Sequence, residues 1–244
     1  AISPFLYAFR EREMIINLLN ELSGARLTFN YMRVGGVKWD APDGWIEKVR
    51  EFIPYMREQL KGYHDLVTGN EIFMKRIIGV GTYTKEEALN YSLSGANLRC
   101  TGVKYDLRKN APYSIYDRFD FDVPTRKEGD AWSRYHIRLE EIEESLKIIE
   151  QAVEQFPSSG AIMAKVPKII KAPPGEAFVR IESPRGELGC YIASDGKKEP
   201  YRLKFRRPSF YDLQILPKLW KGENIANLIT ILGAIDIVLG EVDG

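Results

Sequence analysis

At 244 residues the chain can bury a proper core, as one large domain or two small ones. Its 35 Lys and Arg against 34 Asp and Glu leave a formal net charge of +1, so no global field argues for a nucleic-acid partner. The apolar runs are too short and too interrupted to span a bilayer, and Arg10, Glu11, Arg12 and Glu13 break any secretory signal pattern. Cys100 and Cys190 stand far apart with no CxxC, as expected of thiols in a reducing compartment rather than of a disulfide or metal clip. The chain opens on AISPFLYAF without an initiating Met, which reads as a piece of a longer protein.

Ser3-Pro4 has the order of an N-cap followed by a first-turn proline, and predicts a helix through FLYAFREREMIINLLNEL that stops at Gly24. The segment GARLTFNYMRVGGVKWDAPDG is extended and loop-like, with freedom at Gly35-Gly36. Val49, Ile53, Met56, Leu60, Tyr63 and Val67 then repeat 4-3-4-3-4, a second helix in which Pro54 predicts a kink or break. Residues 70–128 read as short pieces: a helical turn at TKEEALNYS, then SGANLRCTG, then the aromatic loop PYSIYDRFDFDVP. A longer helix carries Tyr135, Leu139, Ile142, Leu146, Ile149 and Val153 on one stripe and ends before Pro157. Beyond a Pro/Lys linker the period shortens to two, so AFVRIES, ELGCYIAS and PYRLKFR predict a three-stranded meander. Ser209 and Asp212 suggest a capping box for a helix reaching Gly222, and a last helix starts near Asn224. The fold class is mainly α with a small antiparallel meander (α+β), divided as a helical core with irregular loops over 1–160, the meander over 175–207, and C-terminal helices and tail over 208–244.

Several chemistries drop out early. His64 and His136 are the only histidines and have no ligand spacing, and GVGTYTK matches no phosphate loop. What remains is a set of Gly-marked, charged, non-repeating segments: SGAR at 23–26, YMRVGGV at 31–37, SGANLR at 94–99, YDLRK at 105–109 and SPRGELG at 183–189. Taken singly, each reads as a capped loop with surface ion pairs. The tail ILGAIDIVLGEVDG adds a puzzle, since Asp236, Glu241 and Asp243 interrupt residues suited to a core. These acids either fray into solvent or meet partners, because an unpaired buried carboxylate is costly.

Together these segments resemble one family. PFLYAFREREMIINLLNELSGARLTFNYMRVGGV, ALNYSLSGANLRCTGVKYDLRKNAPYSIYDRFDFDVP, GELGCYIASDG, PYRLKFRRPSF and GAIDIVLGEVD are similar, in order and across the chain, to the 49-kDa-type D subunit of respiratory complex I. The resemblance implies a fold like the nickel–iron hydrogenase large subunit, truncated at the N-terminus. It implies a subunit of the proton-pumping NADH:quinone oxidoreductase, peripheral on the cytoplasmic side of the cell membrane, with the B and C subunits, other peripheral-arm subunits and the membrane arm as partners. The quinone, expected to be menaquinone, is substrate of the complex, while flavin and iron–sulfur clusters reside in other subunits and this chain binds no cofactor or metal. Asp236 and Val238 would line the quinone pocket, with Gly35, Gly36 and Lys38 near the terminal cluster of the B subunit. Arg26, Arg33, Arg99 and Arg108 are the candidate anchors for Glu241 and Asp243.

Two positions depart from the family pattern. Lys38 stands where a histidine often follows GGV, and Gly244 where the last residue is commonly Arg. The family's quinone-binding histidine and tyrosine and a relay aspartate fall upstream of Ala1, so the chain alone is expected to be inactive. The rival reading is a hydrogenase-derived scaffold or assembly module without quinone chemistry.

Overall fold

The computed structural model describes residues 2–157, 159–167 and 169–243. The chain forms two compact units, Ala1–Asn70 with Leu146–Ile170, and Glu71–Ser145 with Lys171–Gly244. The stretch 1–160 is shared between the two units, while 175–207 and 208–244 both lie in the second. One long helix, Ala131–Glu154, gives its two halves to different units, so contiguous sequence is not the packing unit.

In the first unit, α1 (Ile2–Ser23) already includes Ser3 and Pro4 in its first turn, so Ser3 is not the cap. Pro4 is tolerated there because first-turn amides have no partner within the helix. The helix ends as expected at Gly24, whose φ of 75° lets its amide donate to the Asn20 carbonyl at 2.8 Å. A short ribbon follows, β1 (Met32–Arg33) antiparallel to β2 (Gly36–Val37). Next, α2 (Trp45–Tyr63) buries Val49, Phe52, Ile53, Met56 and Leu60 and runs unbroken through Pro54, continuing as a π-helical turn over His64–Thr68. The expected break is missing because Pro54 and Arg50 lie on the exposed side, where the carbonyl that loses its donor meets water. Glu11 of α1 is buried and accepts hydrogen bonds from Arg10 Nε (2.7 Å), Tyr55 Oη (2.9 Å) and Tyr63 Oη, tying α1 to α2.

The second unit begins with α3 (Glu71–Ile77) and α4 (Lys85–Asn90), the latter opened by a capping box between Thr84 and Glu87. Two short helices follow, α5 (Gly95–Arg99) and α6 (Leu107–Asn110), then a 3-10 turn at Tyr116–Arg118 in the aromatic loop. The long helix α7 (Ala131–Glu154) differs from its sequence pattern. Over the part in this unit, Ala131, Ser133, Arg134 and Ile137 are buried, while Tyr135, Leu139 and Ile142 are only half-buried. Arg134 can face inward because its guanidinium donates to the carbonyls of Gly129 (3.0 Å) and Gly81 (3.1 Å) and lies over the Tyr83 ring.

The meander forms as the alternation predicts: β3 (Gly175–Ser183), β4 (Gly186–Ser194) and β5 (Arg202–Arg206), antiparallel in that order. Ser183 pairs with Gly186, so Pro184-Arg185 make a two-residue hairpin turn. The single helix expected over 209–222 is instead α8 (Pro208–Leu213) and α9 (Leu216–Trp220), each with proline in its first turn. Arg207, not Ser209, occupies the cap position of α8. Asn224 does cap α10 (Ile225–Ile235), accepting from the Asn227 amide at 2.9 Å, and α11 (Leu239–Asp243) closes the described chain. The core of this unit gathers Tyr83, Leu98, Cys100, Ile137, Ile215 and Ile231.

Candidate functional site

The site is set up by two glycines that let backbone touch backbone. At Gly95, the first residue of α5, φ is +60° and a Cβ would stand 2.6 Å from the Arg185 carbonyl oxygen. Gly186, at φ +133°, meets Ser94 in the same way. No other residue type fits so close an approach. Ser94 Oγ accepts from the Glu187 amide at 3.1 Å, so the start of α5 is fastened to the hairpin and fixes Arg185 at its turn.

Arg185 reaches the C-terminus of α10. Asp236 is the C-cap residue there, in the left-handed region at φ 60°, a conformation that Asp tolerates better than most side chains. Arg185 Nε donates to the Asp236 carbonyl at 2.9 Å, and its Nη2 meets Asp236 Oδ1 at 3.3 Å. From α7, Arg138 donates to the carbonyls of Ala234 (2.7 Å) and Ile235 (3.1 Å), with its Nε 3.6 Å from Asp236 Oδ2. Cations at a helix C-terminus satisfy carbonyls that lack intrahelical donors and complement the dipole. Burial lowers the Arg138 pKa from the usual arginine value, against the opposing charge of Asp236.

Asp236 and Arg138 also border an apolar groove of about 510 Å³, walled by Phe73, Tyr135, Leu139, Ile142 and Ile229. The half-buried stripe of α7 is therefore one wall of this groove. The result is an apolar slot with a carboxylate and two guanidiniums, Arg76 and Arg138, among its lining groups.

Behind α10 lies a buried polar pair. Asn97 Nδ2 donates to Asp212 Oδ2 at 2.9 Å and to the Ile235 carbonyl at 3.0 Å. Burial pushes the Asp212 carboxyl up to about 7, more than its hydrogen bonds from Asn97 and Ser94 and the charges of Arg206 and Arg138 lower it.

A third group lies between α5, α6, α7 and β3. Arg99, with a side chain 3% exposed, meets Glu141 at 2.7 Å and Glu182 at 2.8 Å, and donates to the Tyr105 carbonyl at 3.0 Å. Asp106 caps α6 and accepts from Arg108 at 3.0 and 2.7 Å. Burial raises the Asp106 carboxyl, but Arg108 and Arg99 more than offset this and leave it below the ordinary aspartate value. Glu182 goes the other way, because its burial outweighs the lowering by Arg99.

These placements correct the expected anchoring of the tail. Arg99 and Arg108 are committed to Asp106, Glu141 and Glu182, and Arg26 pairs with Glu13 and Asn17 in the first unit. Glu241 instead accepts from the amide of Ser209 (3.1 Å) and from its hydroxyl, at the start of α8. Ser209 Oγ also accepts from the Val238 amide at 3.1 Å. Asp243 is exposed at the end of α11, and Arg33 is exposed in β1. The arginines that hold the tail are Arg138 and Arg185. Arg185 could have been suspected from its place in the two-residue turn of SPRGELG, but nothing local marks Arg138.

Gly35, Gly36 and Lys38 belong to the first unit. Gly35 and Gly36 carry φ of 97° and 155°, and the segment around Ile162–Ala164 runs against them: Val37 N donates to the Ile162 carbonyl (3.0 Å) and Ala164 N to that of Gly35 (2.9 Å). Lys38 is exposed, with its ammonium 4.0 Å from the centre of the Trp39 ring. Cys100 is buried and Cys190 half-buried, both as free thiols. Among the described residues, no three His, Cys, Asp or Glu side chains gather as a metal-binding group.

The family model for the respiratory-chain NADH dehydrogenase 49 kDa subunit matches residues 1–172 and 166–244. The NADH-quinone oxidoreductase D subunits of Bacillus mycoides, Bacillus anthracis and Bacillus cereus are 84%, 83% and 83% identical over 244 residues, which is all of this chain and 67% of each relative. The chain belongs to the 49 kDa subunit family of the respiratory-chain NADH dehydrogenases.

Proposed function

We propose that the chain acts as the D-type subunit of an NADH:quinone oxidoreductase, and that the Asp236 end of α10 forms part of the wall of its quinone pocket. The single observation that carries this reading is the position of Asp236 on an apolar groove, with the Ala234 and Ile235 carbonyls held by Arg138 and its own carbonyl by Arg185. A quinone has an apolar body and two carbonyl oxygens, so it needs a slot of this kind with a few fixed polar groups. Its reduction consumes two electrons and two protons. In this reading the electrons arrive from NADH through flavin and iron–sulfur clusters in other subunits, the last cluster lying in the B subunit beside Lys38, Gly35 and Gly36.

This chain would contribute shape, hydrogen bonds and proton positioning. Arg138 holds the carbonyls of Ala234 and Ile235 and Arg185 that of Asp236, and the Asp236 carboxylate keeps capacity to accept a hydrogen bond from a quinol hydroxyl. Val238, two residues further on, was expected on the same wall but is exposed and does not line the groove. The tail from Asp236 to Asp243 contains no cysteine, so it offers no thiolate to a metal of the hydrogenase kind. Among the described residues no helix is long and apolar enough to cross a membrane. The reading places the protein at the cytoplasmic side of the membrane, in contact with the B and C subunits, with menaquinone as the acceptor. Coupling to proton translocation would require that charge at the quinone bias conformations elsewhere in the complex.

The test is Asp236→Ala in the assembled enzyme. Quinone reductase activity should fall well below the rate of NADH oxidation by an artificial acceptor that takes electrons at the flavin, in membranes holding equal amounts of complex. Two activities that fall together would mean that Asp236 serves only to hold the fold, as a scaffold role would require.

A further inference from the structure

Asn97 and Asp212 are each about 1% exposed, on α5 and α8, and face each other across the core of the second unit. Each has one oxygen, Asn97 Oδ1 and Asp212 Oδ1, that is buried without a hydrogen-bond partner. The orientation of the Asn97 amide is fixed by its neighbours. Asp212 Oδ2 and the Ile235 carbonyl are both acceptors, so Nδ2 must face both, and Oδ1 is left with nothing to accept from.

Two orphaned acceptors, on side chains already joined by one hydrogen bond, are an arrangement that an added proton resolves. A proton on Asp212 Oδ1 makes that atom a donor, and the acceptor it lacks is the acceptor that Asn97 Oδ1 offers. A carboxylic acid and a primary amide then share two hydrogen bonds in a ring, while the second amide hydrogen stays on Ile235. The geometry points to Asp212 and Asn97 as a proton-holding site, a neutral acid–amide pair that braces the Ile235–Asp236 end of α10. Only a proton is taken up, from water, and no other bond changes.

The surroundings suit a neutral acid. The charged groups that face Asp212 are Arg206 from β5 and Arg138 from α7. Both are engaged elsewhere: Arg206 with the carbonyls of Glu187 and Ser92, Arg138 with those of Ala234 and Ile235. The other titratable neighbours are Tyr83, whose hydroxyl donates to the Asn97 carbonyl at 2.7 Å, and Cys100, whose thiol lies 3.2 Å from that same oxygen. Burial holds both of these in the neutral form. On α8 the preceding turn carries Ser209, which serves Glu241. Ionising Asp212 would leave a carboxylate in a dry core with only the Asn97 side chain and the Ser94 backbone as donors. Because Asn97 also holds Ile235, that change would be felt at the residue next to Asp236.

The link to turnover rests on the quinone-pocket reading of Asp236, whereas the pair itself does not. Infrared spectroscopy of the purified enzyme complex, labelled with carbon-13 aspartate, should show a neutral carboxylic-acid carbonyl band at neutral pH that disappears on alkaline titration. Asp212→Asn should lack the band. Asn97→Ala should keep it but move it to higher wavenumber, since the acid loses its acceptor. A wild-type spectrum without a label-sensitive acid band that titrates away would overturn the proposal even if neither variant assembles. A band unaltered in Asp212→Asn, or unshifted in Asn97→Ala, would overturn it as well. The ratio of quinone reductase to flavin-level activity should fall at alkaline pH in the wild type and stay flat in Asp212→Asn. A pH-independent wild-type ratio alongside the expected bands would support the pair and count against the pocket reading, which keeps the two failures apart.

Discussion

Two arginine–carboxylate groups in the second unit use the same chemistry to different ends. Around Arg99, the side chains of Arg99, Glu182 and Asp106 are 3%, 5% and 2% exposed, and the two closest ion-pair contacts are 2.7 and 2.8 Å. Around Asp236, the carboxylate is 40% exposed and its arginine contacts stretch to 3.3 and 3.6 Å. Yet the backbone there is held tightly, with guanidinium-to-carbonyl bonds of 2.7, 2.9 and 3.1 Å. In the first group the charges are spent on each other. In the second the main chain is fixed while the side chain keeps bonding capacity toward the groove, the combination expected of a binding site.

The contrast can be broken most sharply at Arg99. Arg99→Met would strand Glu182 in the interior beside the half-buried Glu141, and removing one member of a buried ion-paired group costs about 3–5 kcal/mol. The expected result is little assembled complex and a parallel loss of all activities, measured as abundance of this chain and thermal unfolding of solubilised membranes. A variant that assembles normally would mean that this group does not hold the fold.

A smaller loss is expected at Gly95. Alanine there faces both a left-handed φ of +60° and the Arg185 carbonyl at 2.6 Å, together worth about 2–3 kcal/mol. Because the clash displaces the hairpin turn, Gly95→Ala should also lower quinone reduction per assembled complex. Equal activity per complex would show that the turn does not need to sit where it does.

The smallest effect on stability is expected at Arg185. Its side chain is 28% exposed, so Arg185→Met should cost only about 1 kcal/mol. Quinone reduction should nevertheless fall severalfold at unchanged assembly, because the Asp236 carbonyl and carboxylate both lose a donor. Stability and activity would thus move in opposite proportion to those at Arg99, and a variant with both unchanged would remove Arg185 from the site.

Much of this architecture was legible in local pattern. The alternation of AFVRIES, ELGCYIAS and PYRLKFR fixed the meander, and Gly24 and Asn224 marked a helix end and a helix start through cap chemistry that involves only near neighbours. Ser3-Pro4 and Ser209 looked like caps by the same rules and were not, because the helix boundaries shifted by a residue or two. The stripe Tyr135-Leu139-Ile142 was legible as helix but not as a groove wall. The inward face of α7 includes Arg134 instead, made tolerable by the carbonyls of Gly81 and Gly129, which no spacing in the sequence connects to it. The candidate site was half legible. Asp236 stood out as an acid among apolar residues, but its partners Arg138 and Arg185, and the pair Asn97–Asp212, come from distant segments. The arginines nominated from their loops, Arg99 and Arg108, proved to be committed to acids of α6, α7 and β3.

The central claim is that the Asp236 end of α10 lines a quinone pocket, and photolabelling tests it most directly. The assembled enzyme would be illuminated with a short-chain quinone that carries an azido group on its ring, and the modified peptides of this chain identified by mass spectrometry. Label is expected on the segment from Ile229 to Val238 or on the facing stretch of α7 from Tyr135 to Ile142, and excess unlabelled quinone should suppress it. Competable label confined to other segments of the chain, or to other subunits, with none on these two, would contradict the claim.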